Sequence, residues 1–161
     1  MYDRRKAVQY ATEWAFSRNP EFYTFDDLGG DCTNFVSQCI YAGCGVMNYT
    51  PDFGWYYISP EDRSAAWTGV QYLYNFLTTN EGNGPYGEEQ PLPLTQIGDV
   101  IQLSFDGLTY AHTLIVTKIN LFPIPSNILI ASHSYDSLNR PLSTYDYEKA
   151  RLIHILGARG N

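Results

Sequence analysis

An α+β fold is predicted, with N-terminal helices packed on a C-terminal antiparallel sheet. Three observations predict it. Before residue 80, apolar residues recur at helical spacing. After residue 95, apolar runs are separated by turn signals such as Gly98-Asp99 and Asp106-Gly107. Between the first helix and the sheet, Gly29-Gly30-Asp31-Cys32 marks a tight turn into a helix. Helices first and strands second is the pattern of an α+β domain. No internal repeat or low-complexity linker interrupts it, so residues 1–161 read as one domain, long enough for its own core.

Each element has a local reason. Residues 4–18 form a helix because Ala7, Ala11, Trp14 and Ala15 make one apolar stripe, and Asn19-Pro20 ends it. An aromatic connection through Phe22, Tyr23 and Phe25 leads to the two glycines. Asp31 then reads as an N-cap. The helix after it carries Phe35, Val36, Cys39 and Ile40 inward, and Gly43 stops it. Residues 45–60 read as an aromatic loop. Ser59-Pro60 is a cap-and-first-position signal for a helix with Trp67, Val70, Tyr74 and Leu77 on its stripe. Residues 80–87, with three glycines and a proline, read as a loop. Strands are expected over 100–105, 110–119, 127–134 and 151–156, with Pro123 and Pro125 confined to a connection.

Composition narrows the chemistry. The net charge of −7, from 10 basic and 17 acidic residues, argues against nucleic acid as a partner. No apolar run is long enough to span a membrane, so no membrane partner is expected. The N-terminal Met-Tyr-Asp-Arg-Arg-Lys lacks the apolar stretch of a secretory signal, which leaves a cytoplasmic protein or an excised domain of a larger one. Fourteen tyrosines fit either a groove for a polar polymer or peptide, or an aromatic-rich core. Three cysteines are not a disulfide framework. Cys32 and Cys39 on one helix would be roughly 10 Å apart, beyond disulfide reach. Cys39 reads as core and Cys44 as incidental.

Cys32 is the pointed residue. A thiol in the first turn of a helix feels the partial positive charge of that terminus, which favours thiolate. A thiol nucleophile needs a base, and the base needs an orienter. His112 begins one predicted strand and His133 ends the next. Antiparallel pairing about residues 122–123 would make them cross-strand neighbours, about 5 Å apart at Cβ. Cys32, His112 and His133 are therefore expected as nucleophile, base and orienter, with Cys32 Sγ in hydrogen-bond reach of His112. The other His112 nitrogen should face His133, above a groove walled by the 21–30 and 45–60 loops. His154 reads as structural. Zinc is the rival reading of Cys and His, but no C-x-x-C or H-x-x-x-H pair is present, so neither metal nor cofactor is expected.

The block Gly-Gly-Asp-Cys32-Thr-Asn-Phe-Val-Ser-Gln resembles the putative amidase domain family. So do Gly54-Trp-Tyr-Tyr, Asp62-Arg63-Ser64 with Trp67-Thr-Gly-Val, Gly98-Asp99-Val-Ile-Gln-Leu and Asn139-Arg140-Pro141-Leu142-Ser143. The resemblance covers nearly the whole chain, from about Tyr2 to Arg159. It implies kinship with NlpC-type and CHAP-type cell-wall hydrolases and a papain-like fold. It implies Cys32 as nucleophile, His112 as base and His133 at the third position. The function implied is cysteine-dependent cleavage of amide bonds in peptidoglycan stem peptides. The alternatives are a catalytically silent glycan- or peptide-binding module, or an acyl transferase with the same triad. On the hydrolytic reading, Cys32 N–H is half of an oxyanion hole and Tyr23 a candidate for the rest. Trp55, Tyr56 and Trp67 are candidate groove residues, and Arg63 could pair with a substrate carboxylate.

Overall fold

The computed structural model describes residues 1–160. Four α-helices precede most of the sheet: α1 (Arg4–Trp14), α2 (Cys32–Cys44), α3 (Ala65–Thr68) and α4 (Val70–Thr79). A small hairpin, β1 (Tyr57–Ser59) and β2 (Asp62–Arg63), lies between α2 and α3. The main sheet has six strands: β3 (Gly84–Gln90), β4 (Val100–Ser104), β5 (His112–Ile119), β6 (Ile128–Ser132), β7 (Ser137–Pro141) and β8 (Lys149–Arg159). Their order is β3-β8-β4-β5-β6-β7, and every neighbouring pair is antiparallel. The α+β expectation is met. No described helix is long and apolar enough to cross a membrane.

The helices form as their sequences dictate, with shifted ends. Asp3 caps α1 by accepting from the Lys6 N–H at 3.1 Å. Ala7 and Ala11 are fully buried, and small side chains let α1 lie close to α2. The helix stops at Trp14 rather than Arg18. Helix α2 runs past Gly43 to Cys44, and Gly45, at φ 68°, terminates it through a bond from its N–H to the Tyr41 carbonyl. Gly43 is needed for a different reason, since a Cβ there would lie 2.7 Å from the Tyr2 ring and 2.8 Å from the Asp3 carbonyl. It is a close-approach glycine, not a stop.

Two expectations are corrected. Ser59-Pro60 does not open a helix; Ser59 ends β1, and its Oγ accepts from the Asp62 N–H in the turn. The helical signal is real but begins at Ala65, after Ser64, and Gly69 divides α3 from α4. The stretch 80–87 is not all loop. From Gly84 it becomes β3, which pairs with the long β8. An edge strand tolerates Pro85, because its missing N–H costs no ladder bond on the open side. Strand β7 is an addition to the four strands that the sequence predicts after residue 95.

The sheet is covered on both faces. On one lie the helices, with Phe35, Val36, Ile40, Trp55, Trp67 and Leu73 packed on Val100, Ile115, Ala131 and Ile153. On the other, Ile101, Leu103, Leu114, Val116, Ile128, Ile130 and Leu152 pack under Leu142, with Leu92, Tyr145 and Tyr147 at the margin. Strands β4 and β6 are buried at every position. One buried charge fixes α1 to the sheet. Asp99, with no exposed surface, accepts from Arg4 Nη1 at 2.7 Å and the Ile155 N–H at 3.0 Å, and pairs with His154 Nδ1 at 2.9 Å. His154 therefore has a structural partner.

Candidate active site

Gly29 and Gly30 both sit at positive φ (87° and 101°), and that double turn delivers the chain to α2. Asp31 follows, but its side chain makes no cap hydrogen bond. Its carboxylate turns inward instead. Oδ1 accepts from the Phe25 N–H at 2.8 Å and from Asn34 Nδ2 at 2.9 Å, while Oδ2 lies 2.6 Å from His133 Nδ1. The N-cap expectation is thus corrected, with a chemical consequence. The first-turn N–H groups of a helix have no intrahelical partner. At α2, no acidic side chain occupies them.

Cys32 opens α2 and is 8% exposed. Burial pushes its thiol up, the Thr113 backbone N–H and the Thr33 hydroxyl and N–H pull it back, and Asp31 pushes it up again; the net direction is up. The expectation of a thiolate at rest is corrected: the helix terminus is opposed by desolvation. The contact with Thr113 places Cys32 beside the residue that follows His112.

His112 begins β5. Its Nε2 lies 3.0 Å from Ser132 Oγ, and that hydroxyl donates to the His133 carbonyl at 2.6 Å. The one hydroxyl proton is committed, so His112 Nε2–H is the donor to Ser132. Nδ1 keeps its lone pair, the state a base needs. Among the described residues, no hydrogen bond joins His112 to Cys32. Burial first, and the nearby Arg140 charge second, lower the imidazole to about 4.

His133 does not face His112. The register Ile115↔Ala131, extended to the strand ends, puts Ser134 opposite His112 and Thr113 opposite His133. Side chains alternate along a strand, so the two histidines point to opposite faces. His133 is 1% exposed and stacks on Phe35 with centroids 3.9 Å apart. Its Nδ1 meets Asp31, and its Nε2 lies 2.8 Å from the Trp14 carbonyl and 3.1 Å from Arg18 Nη1. Arg18 in turn holds Asp26 and Asp136. The expected orienter is a buried structural residue, and Ser132, its neighbour, takes the place on His112.

The other candidates are also redistributed. Trp55 and Trp67 are fully buried, 4.7 Å apart at their centroids, and donate to Ser37 Oγ and Asn34 Oδ1. They are core, not groove. Tyr56 is half-buried and packs on Tyr49. Arg63 bonds the Pro60 carbonyl and Thr68 and lies over the Phe25 ring, which commits it locally. Tyr23 is exposed, its carbonyl accepting from Asn34 Nδ2 and its ring against Phe25. The predicted groove between the 21–30 and 45–60 loops is not the cavity beside His112.

That cavity, of about 450 Å³, lies on the other side. It is lined by His112, Ala111 and Phe105 from β5 and the preceding connection, by Ser134 and Tyr135 from the β6–β7 turn, and by Arg140 and Tyr145. Ser134 Oγ accepts from the Asp31 N–H at 3.3 Å, which ties this wall to the start of α2. Ser134 and Tyr135 both sit at positive φ (62° and 65°), as the middle of a tight hairpin turn requires. Ser132, Ser134 and Tyr145 carry no signal in the sequence that marks them for a site; Arg140 lies in the Asn-Arg-Pro-Leu-Ser motif without a role of its own there. No group of three His, Cys, Asp or Glu side chains among the described residues could hold a metal ion.

The lowered His112 value gives a pH prediction. The unfolded histidine titrates near 6.5 and the folded one at about 4. Between these values the unfolded chain binds more protons, so His112 makes stability fall as pH drops from 6.5 to 4. Urea midpoints measured over this range should decline less steeply in His112→Gln than in the wild type.

A family model described as Putative amidase domain matches residues 1–156. Uncharacterized protein YhbB of Bacillus subtilis (strain 168) is 32% identical over 148 residues, covering 90% of this chain and 45% of that protein. The chain therefore spans about half the length of this relative. No solved structure matches.

Proposed function

The chain belongs to the Putative amidase domain family, and on that premise we propose that it is a cysteine amidohydrolase of the papain-like kind, related to NlpC-type and CHAP-type hydrolases and acting on peptidoglycan stem peptides. Membership in the family supports amide hydrolysis in general. One observation carries the cysteine mechanism: Cys32 heads α2 beside Thr113, while the preceding His112 is held by Ser132 with Nδ1 unprotonated.

In this reading, substrate binding brings Cys32 Sγ and His112 Nδ1, which share no hydrogen bond in the free protein, within reach of each other. The thiol proton passes to Nδ1, and sulfur attacks the amide carbonyl. The uncapped N–H groups at the start of α2, Cys32 first, receive the developing oxyanion. His112 gives its proton to the leaving amine as the C–N bond breaks. Water, deprotonated by His112, then releases the acid from the thioester.

Mass analysis of stem peptides incubated with the protein tests this directly. The products should sum to the substrate plus one water. Cys32→Ser should reduce their formation by at least about 10³-fold. Equal product from Cys32→Ser, or no cleavage of any stem peptide by the wild type, would sink the proposal.

A further inference from the structure

We propose that Arg140 is the anion anchor of this site, holding a substrate carboxylate in the cavity beside His112, within a few residues of the scissile amide. This rests on the amidohydrolase reading above and deepens it, because it names the class of amide: one with a nearby carboxylate.

Arg140 is held in place but carries no opposite charge. Its Nε donates to Thr144 Oγ1 at 2.7 Å and its Nη2 to the Thr144 carbonyl at 3.2 Å. Its guanidinium lies 3.7 Å from the centre of the Tyr145 ring. Among the described residues, only Arg4 and Arg18 have carboxylate partners within 4.0 Å, and of the arginines without one Arg140 is the one that lines the cavity beside His112. A chain with 17 acidic and 10 basic residues has carboxylates to spare, yet none lines this cavity. The planar guanidinium matches a carboxylate in geometry, and its fixed position lowers the ordering cost of the match.

The wall beside it is polar and unfinished. Tyr145 Oη is buried with no hydrogen-bond partner. A buried hydroxyl left unpaired costs about 1–3 kcal/mol, and such groups in native proteins call for an explanation.

Distance sets the placement. The Tyr145 and His112 ring centres are 5.8 Å apart, and Arg140 stacks on the first of them. One residue of chain advances about 3.8 Å between Cα atoms. An anion on Arg140 therefore lies in the same cavity as His112, within a few residues of chain from an amide there. The same charge helps to push His112 down. A carboxylate on Arg140 offsets it and moves the base back toward its ordinary range as substrate arrives.

The test uses N-acetylglycine, N-acetylglycinamide and the α-amide of N-acetylglutamic acid as probes, followed by the His112 ring resonances in the wild type and Arg140→Gln. These carry, respectively, an α-carboxylate, no carboxylate, and a side-chain carboxylate. The carboxylate probes should bind at least ten-fold more tightly than the neutral one and raise the His112 titration midpoint. Whichever carboxylate binds more tightly identifies the source. Arg140→Gln should remove the preference with only a small drop in the urea midpoint, and Arg140→Lys should restore part of it. Turnover of stem peptides that differ only as C-terminal acid or amide is read in parallel. Selective binding without turnover of any amide overturns the amidohydrolase reading and keeps the anchor. Turnover with equal handling of acid and amide by the wild type and Arg140→Gln overturns the anchor and keeps the enzyme.

Discussion

Asp31→Ala is expected to destabilise the protein by about 1–3 kcal/mol for each buried partner left unpaired, the usual loss when a buried hydrogen-bonded group is removed. The carboxylate is 1% exposed and serves the Phe25 N–H, Asn34 and His133 at once, with Arg18 Nε 3.7 Å away. Truncation leaves His133 buried beside Arg18 with no anion between them. Asp31→Asn, which keeps an acceptor for Phe25 and Asn34, should lose less. In a cycle with His133→Ala, the double variant should be less destabilised than the sum of the singles, because the two share one interaction. Urea unfolding reads all four proteins. An Asp31→Ala midpoint indistinguishable from wild type would show that this cluster does not hold the α2 turn.

His112→Ala should act on turnover and hardly on folding. With the base gone, a loss on the order of 10⁴–10⁶-fold is expected, as for other triads. Ser132→Ala should lower turnover less, about 10–100-fold, since an orienter fixes tautomer and ring angle and water can partly replace a hydroxyl. His133→Ala should show the reverse pattern: a large loss of stability and, in the fraction that stays folded, turnover closer to wild type than His112→Ala leaves. Active-site titration of Cys32 corrects each rate for folded enzyme. If His112→Ala retains activity, or His133→Ala behaves as His112→Ala does, the assignment of base and orienter fails.

The first helix is legible in the sequence because it carries a one-sided stripe, with Ala7 and Ala11 buried, whereas in α4 the buried face is Leu73, Phe76 and Leu77 rather than the expected Val70, Tyr74 and Leu77. The start of α2 is legible to the residue, since two glycines and the apolar spacing after them agree. The sheet register is not. A half-exposed strand shows which residues face the core, but β6 is buried at every position and β5 from Thr113 to Thr117. Nothing in Ile128-Leu129-Ile130-Ala131-Ser132 marks one face from the other. The irregularity between Val116 and Lys118 is equally silent in the sequence. A register one residue from the symmetric one exchanges the faces, and that alone moves His133 away from His112 and puts Ser132 there. Strand β3 is hidden for a different reason. Gly84 and Pro85 carry loop chemistry, and only the partner strand β8 makes them extended.

The β6–β7 turn has a mechanical consequence. A side-chain-bearing residue at positive φ costs roughly 1–2 kcal/mol, and here two stand in succession. Tyr135 is 91% exposed, so its own packing hardly opposes relaxation. The restraint at the turn includes the bond between Ser134 Oγ and the Asp31 N–H, one residue before Cys32. That bond fastens the cavity rim to the backbone one residue before Cys32, so relaxation of the strained turn is opposed from the start of α2.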